Sequence, residues 1–252
     1  DDAIDEVDVD WMFTTLLKEI SKTRPHYDRI RKYIEGDPPK PETPSNLKEA
    51  WVEFETFRKK SRTNFAGLIV GACVDRTIIT GFRTAAQGDD NGDEVAEALW
   101  DENDMDVLSD EVHQDVFGYG RGYLLADPFS KRARRFRPWQ AMSVPDTNGD
   151  PVIAVNFRHD PVSSRDIAQL WTREVDENGV GQGKVSCHFA VRDRKNKPTI
   201  DGTFSTEVPL GTYISRNWKW WKTKVTTLDE IPLNEFQNRN EDGEFEKDTD
   251  VL

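Results

Sequence analysis

The sequence predicts an α+β fold, with a mainly helical region over residues 1–120 followed by a β-rich region over residues 121–237. In the first part, apolar residues recur every three or four positions, the spacing of one buried helical face. In the second, short β-prone runs are separated by the turn dipeptides Asn148-Gly149, Asn178-Gly179 and Asp201-Gly202. Helices gathered in one stretch and strands in another argue against the alternation of a doubly wound α/β sheet. A chain of 252 residues has room for a sizeable core, and 8 Trp, 13 Phe and 5 Tyr are material for it.

The elements follow in order. Phe13, Leu16, Leu17 and Ile20 share one helical face. Pro25 suits the first turn of a second short helix, on which Tyr27, Ile30 and Ile34 share a face. Gly36-Asp37-Pro38-Pro39 stops that helix, and the stretch to Pro44 reads as a stiff connector. Ser45 caps a third helix carrying Leu47, Trp51, Phe54 and Phe57, and the cations Arg58, Lys59, Lys60 and Arg62 suit its C-terminal dipole. Residues 65–74 (FAGLIVGACV) are apolar all round, and Gly67, Gly71 and Ala72 allow close approach, so a buried helix is expected. Two more helices follow, one over residues 94–102 and one capped near Ser109 with Val112, Val116 and Tyr119 on a face. Strands are expected over residues 123–126, 152–157, 168–174, 185–191 and 212–218.

Charge is distributed unevenly. Residues 1–10 carry six acids and no base, residues 87–111 eleven acids and no base, and residues 238–252 six acids against Arg239 and Lys247. Together these segments carry −21 of a net −13, which leaves the other 202 residues at +8. The overall balance argues against a protein that coats nucleic acid through bulk charge. The longest apolar run, residues 65–74, is half of the roughly 20 residues a membrane-spanning helix needs. The acidic first ten residues do not read as a signal peptide, and the missing initiator Met suggests an excerpt or a processed chain. Cys73 and Cys187, both in apolar stretches, are expected to be buried reduced thiols, as in a protein folded in a reducing cytoplasm.

No motif argues for catalysis, a cofactor or a metal. Gly118, Gly120 and Gly122 follow a helix and precede a strand, the reverse of a phosphate-binding loop, so they read as a corner. Gly179, Gly181 and Gly183 read as a hairpin. Asp146, Asn148 and Asp150 begin like a calcium loop, but Pro151 and Phe157 stand where it needs Gly and Glu; Asp89, Asn91 and Asp93 fail likewise. The four histidines, His26, His113, His159 and His188, lack mutual ligand spacing, and His113 reads as a packing residue.

Two basic stretches are candidate contact sites. Lys131, Arg132, Arg134, Arg135 and Arg137 put five cations in seven residues, which suits a solvated edge strand, a phosphate contact or a salt-bridged interface. Trp218, Trp220 and Trp221 alternate with Lys219, Lys222 and Lys224, a pattern that suits core packing, a subunit interface or stacking on single-stranded nucleic acid. In a strand Trp218 and Trp220 share a face and Trp221 takes the other.

The order of several local signatures resembles the portal, or head-to-tail connector, proteins of tailed bacteriophages, of the type in long-tailed phages of actinobacteria. Tyr33-Ile34-Glu35-Gly36-Asp37 follows the N-terminal helix, Arg62-Thr63-Asn64 opens the apolar helix and Val74-Asp75-Arg76 closes it. Gly81-Phe82-Arg83, Asn103-Asp104-Met105-Asp106 and Tyr119-Gly120-Arg121-Gly122-Tyr123 come next, and Phe236-Gln237-Asn238-Arg239 and Gly243-Glu244-Phe245-Glu246 lie near the end. The resemblance implies that residues 1–252 are a single wing-like domain, with residues 238–252 leading into a stem helix absent from this chain. It also implies a structural virion protein without enzymatic activity or cofactor. Its partners would be its own copies in a ring of about twelve, capsid protein or scaffold, terminase, neck and tail proteins, and the double-stranded DNA passing through. Assembly would take place in the host bacterial cytoplasm, with the ring at one capsid vertex and no membrane involved. Acidic residues 87–111 of one subunit meeting Lys131–Arg137 of the next would set ring register. A nucleic-acid module using residues 216–224, or an enzyme whose site is assembled only in space, are the alternative readings.

Overall fold

In a computed structural model of the chain, the described residues are 6–38, 52–54, 56, 64–81, 94–193 and 217–238. Four labelled helices precede eight strands: α1 (Glu6–Ile34), α2 (Phe65–Val74), α3 (Glu94–Glu102), α4 (Met105–Tyr119), β1 (Arg121–Asp127), β2 (Arg132–Phe136), β3 (Ala141–Pro145), β4 (Pro151–Asp160), β5 (Arg165–Val175), β6 (Gly181–Asp193), β7 (Lys219–Val225) and β8 (Leu233–Gln237). The fold is α+β, as the segregation of periodicities implies.

α1 is one continuous helix, so the second helix expected at Pro25 does not start there. Pro25 has no N–H for an intrahelical bond, at a cost of about 3 kcal/mol in a helix interior. Burial on both sides outweighs that cost. Before Pro25, Val9, Phe13, Leu16, Leu17 and Ile20 pack with Val155, Phe157, Ala168, Leu170 and Ala190 of the large sheet. After it, the Tyr27 ring is 6.1 Å from Trp139 and 6.3 Å from Tyr119. Arg24, itself buried, bonds Asp28 at 2.9 Å and lies 4.8 Å over Trp139.

α2 is pinned to the end of α1. The Asn64 side chain accepts from the Gly67 amide at 2.8 Å and donates to the Ile34 carbonyl at 2.6 Å. A Cβ on Gly67 would come 2.7 Å from that same carbonyl oxygen, so only glycine permits this approach. Of the helix expected after Ser45, residues 52–54 and 56 are described and helical; its other residues lie outside the described ones.

α4 starts earlier than expected. Asp104, with φ 51°, precedes Met105, and Ser109 lies inside the helix, its hydroxyl donating to the Asp106 carbonyl at 3.2 Å. Asp104 supplies the first acceptor, since its carbonyl receives the Val107 and Leu108 amides, each at 3.1 Å. The Gly118-Gly120-Gly122 stretch is the corner between α4 and β1, with Gly120 at φ 83°.

Among the described residues all strand pairs are antiparallel, in a three-stranded sheet ordered β2-β1-β8 and a five-stranded sheet ordered β3-β4-β5-β6-β7. Between them lie Tyr123, Leu125, Phe136, Trp171, Val185 and Leu233, among others. α1 covers the other face of the large sheet and α4 packs on the small one. Of the strand expected over residues 212–218, residues 212–216 lie outside the described ones, as does the Asp201-Gly202 turn, and Asn217 and Trp218 precede β7.

Asp146 and Asp176 tie down the two hairpin turns read from Asn148-Gly149 and Asn178-Gly179. Asp146 accepts from the amides of Asn148, Asp150 and Gly181, and Asp176 from those of Asn178 and Val180. These backbone donors hold both carboxyls below the usual carboxylate range. Asp146, which opens the calcium-like pattern, is therefore a turn acceptor.

Candidate subunit interface

α2 is where expectation and structure part most sharply. Its composition predicts burial, yet Phe65, Leu68 and Ile69 are 65%, 67% and 63% exposed, and Val74 alone of its residues is buried. A helix apolar on every side needs neighbours on every side. α1 and α4 cover one side of α2, while Phe65, Leu68, Ile69 and Ala72, spaced i, i+3, i+4 and i+7, form an outer stripe. Val95 and Leu99 of α3 are exposed as well. Cys73, on this helix, is half-buried rather than buried; Cys187 is buried, which pushes its thiol well up, and both are free.

The basic stretch forms edge strand β2, and its cations have unequal surroundings. Arg135 makes a two-pronged pair with the buried Asp115 of α4, Nε to Oδ2 at 2.5 Å and Nη2 to Oδ1 at 2.6 Å, with Glu111 at 3.2 Å. Burial raises the Asp115 carboxyl and the Arg135 bond opposes it. Arg132 donates to the Glu102 carbonyl, and Asn103 accepts from the Ala133 amide at 2.8 Å. The acidic helix end and the basic strand thus already meet within one chain. Lys131 is exposed at a turn residue with φ 53°. Arg134 and Arg137 remain beside Arg158 of β4, a neighbour the sequence did not suggest because β4 belongs to the other sheet and meets β2 only in the fold.

The Trp-rich stretch is divided as strand alternation implies. Phe13 of α1 packs against Trp218 at 5.6 Å and Trp220 at 4.9 Å. Trp220 Nε1 also donates to Asp10 at 3.3 Å, and Arg192 lies 4.5 Å over Trp218. Two of the three rings are therefore partly buried against α1 and the core. Trp221 is 61% exposed, with the Lys222 ammonium 3.8 Å from its ring centroid. Lys224 lies 4.7 Å over Phe129.

The histidines act as local packing and bonding groups. His113 shares a hydrogen bond with Thr77 at 3.1 Å, and His159 is 3.0 Å from Asp166. His188 bridges Thr172 at 3.2 Å and Thr223 at 3.0 Å, and burial lowers its imidazole below the ordinary value.

Apolar and cationic side chains left outside a completed core are what a subunit of an assembly presents. The sequence model of the family described as phage portal protein, SPP1 Gp6-like, matches residues 15–252, and the chain belongs to that family. No curated protein matches the chain. Its role is accordingly structural, as a phage portal protein. No helix among the described residues is long and apolar enough to cross a membrane.

Proposed function

We propose that this chain is the wing-like part of a portal ring of about twelve subunits at one capsid vertex, of the long-tailed actinobacteriophage type. The ring serves as the conduit for genome DNA during packaging and ejection and as the docking platform for terminase and for neck and tail proteins. It assembles in the host cytoplasm against capsid protein or scaffold. Family membership supports the portal role, and the order of signatures from Tyr33 to Glu246 supports the long-tailed type.

The observation that carries the ring reading is the outer stripe of α2. Phe65, Leu68 and Ile69 are each more than 60% exposed on a helix fixed in place by Asn64 and Gly67, and a neighbouring subunit is the cover that such a stripe calls for. Negative-stain imaging of the full-length gene product is expected to show rings with a central channel. Particles that remain monomeric at every salt and protein concentration would defeat the proposal.

A further inference from the structure

β2, the turn at Gln140 and β4 frame an open cleft of about 330 Å³. Four guanidinium groups, those of Arg134, Arg135, Arg137 and Arg158, line it, with Glu111 as the one acid in the lining among the described residues. Arg135 is committed within the chain, matched by Asp115 and Glu111. The other three are not. Arg137 lies 5.3 Å over the Trp139 ring, and neither Arg134, Arg137 nor Arg158 forms an ion pair among the described residues. Arg134 Nε is buried without a hydrogen-bond partner there. Burial and the Arg134 cation push the Arg158 guanidinium below its ordinary value, and Asp160 and Asp127 offset this in part.

Three cations gathered in a concave, partly desolvated site repel one another, and an oxyanion bonded by two of them would relieve that repulsion. We propose that the cleft receives carboxylates from the acidic run 87–111 of a second copy of this chain, which deepens the ring reading and rests on it. Charge complementarity selects this occupant. The run carries eleven acids and no base, and Glu97, Asp101 and Glu102 of α3 are exposed. Within one chain the end of α3 is held against Arg132 and Ala133, at the other end of β2 from Arg137. A nucleic-acid backbone is the poorer fit, because one cleft offers no track of cations and the chain carries −13 overall. Arg158 thus joins the contact residues expected from sequence, and Arg132 and Arg135 bond within their own subunit.

The test uses the full-length protein with Arg134→Gln and Arg158→Gln together, followed by sedimentation across a salt series. Assembly is expected to weaken by about tenfold, the worth of one charge-assisted contact, and to lose most of its salt dependence. The subunit's thermal melting should stay within a few degrees; if it falls further, the single Arg134→Gln change on the edge strand replaces the pair. The charge-reversed pair, Arg134→Glu with Arg158→Glu, should lose rings and regain them when Glu97→Arg, Asp101→Arg and Glu102→Arg are added. Rings that form with unchanged salt dependence in the Gln variant overturn the cleft assignment while leaving the ring reading intact. So does DNA binding that the Gln variant loses while its rings persist. Wild-type protein that never forms rings overturns both.

Discussion

α2 and β5 make an instructive pair. The ten residues of α2 include no charged side chain, yet most of its outer stripe is exposed. The eleven residues of β5 include Asp166, Gln169 and Thr172, yet all three are buried, together with Trp171 and Leu170. Position decides the difference. β5 is the central strand of five, paired on both sides, with α1 packed on one face of its sheet and the small sheet on the other. A polar group there is tolerable because it is bonded: Trp171 Nε1 donates to Asn156 at 2.9 Å, and Asn156 donates to Gln169 at 2.8 Å. α2 lies at the periphery, so apolar character beyond what α1 and α4 can cover is left outside. The centre of the large sheet is closed on both faces within the chain, whereas α2 carries surface that a neighbour would finish.

If that contrast is right, the largest loss of fold stability comes from breaking a buried polar bond in the sheet. Asp166, 2% exposed, receives Arg192 Nε at 2.8 Å, with His159 on its other oxygen at 3.0 Å. Arg192→Met keeps much of the side-chain volume but removes the cation paired with this buried carboxylate, at an expected cost of about 3–5 kcal/mol. Urea denaturation measures it. A cost below about 1 kcal/mol would mean that the carboxylate is effectively solvated and that the large sheet is not closed in the way described.

A smaller effect tests the edge of the same sheet. His188 of β6 bridges Thr172 of β5 and Thr223 of β7, and burial lowers its imidazole below the ordinary value. The unfolded chain therefore takes up a proton here at a higher pH than the folded one. Stability contributed by neutral His188 is fully present above the ordinary imidazole value and declines as pH falls through the window down to the lowered folded value. Denaturation midpoints measured across that window should fall toward acid, and His188→Gln should flatten this part of the profile. An unchanged profile would place His188 in contact with solvent.

Much of this was legible because the signals were local. The hairpins joining β3 to β4 and β5 to β6 follow from Asn148-Gly149 and Asn178-Gly179, and the division of the Trp stretch follows from strand alternation. Pro25 misled because a local helix-start rule met tertiary packing on both sides of it. α2 misled because an apolar composition specifies that a helix wants cover, without saying whether the cover is in the same chain. The candidate interface was half legible for the same reason. The run Lys131–Arg137 announces cations, but Asp115, which commits Arg135, and Arg158, which extends the cleft, come from other elements and meet them only in the fold. An i, i+4 pair of acids on α4, Glu111 and Asp115, was the one available hint that Arg135 has a partner in its own subunit.

The smallest expected effect on the subunit is the sharpest test of the comparison. Leu68→Ser with Ile69→Ser removes two side chains from the outer stripe of α2, which are 67% and 63% exposed in the single chain. Surface changes of this kind alter folding stability by within about 0.5 kcal/mol each. The cap at Asn64 and the approach at Gly67 are untouched, so α2 should stay in place. Assembly is a different matter: if a neighbour covers this stripe, the variant puts two hydroxyls into an apolar contact and rings should give way to subunits of unchanged melting temperature. Rings that persist would move the interface elsewhere, and a large drop in melting temperature would show that the stripe is covered from within the chain. The helix that composition marks as core would then be core after all, and its contrast with β5 would disappear.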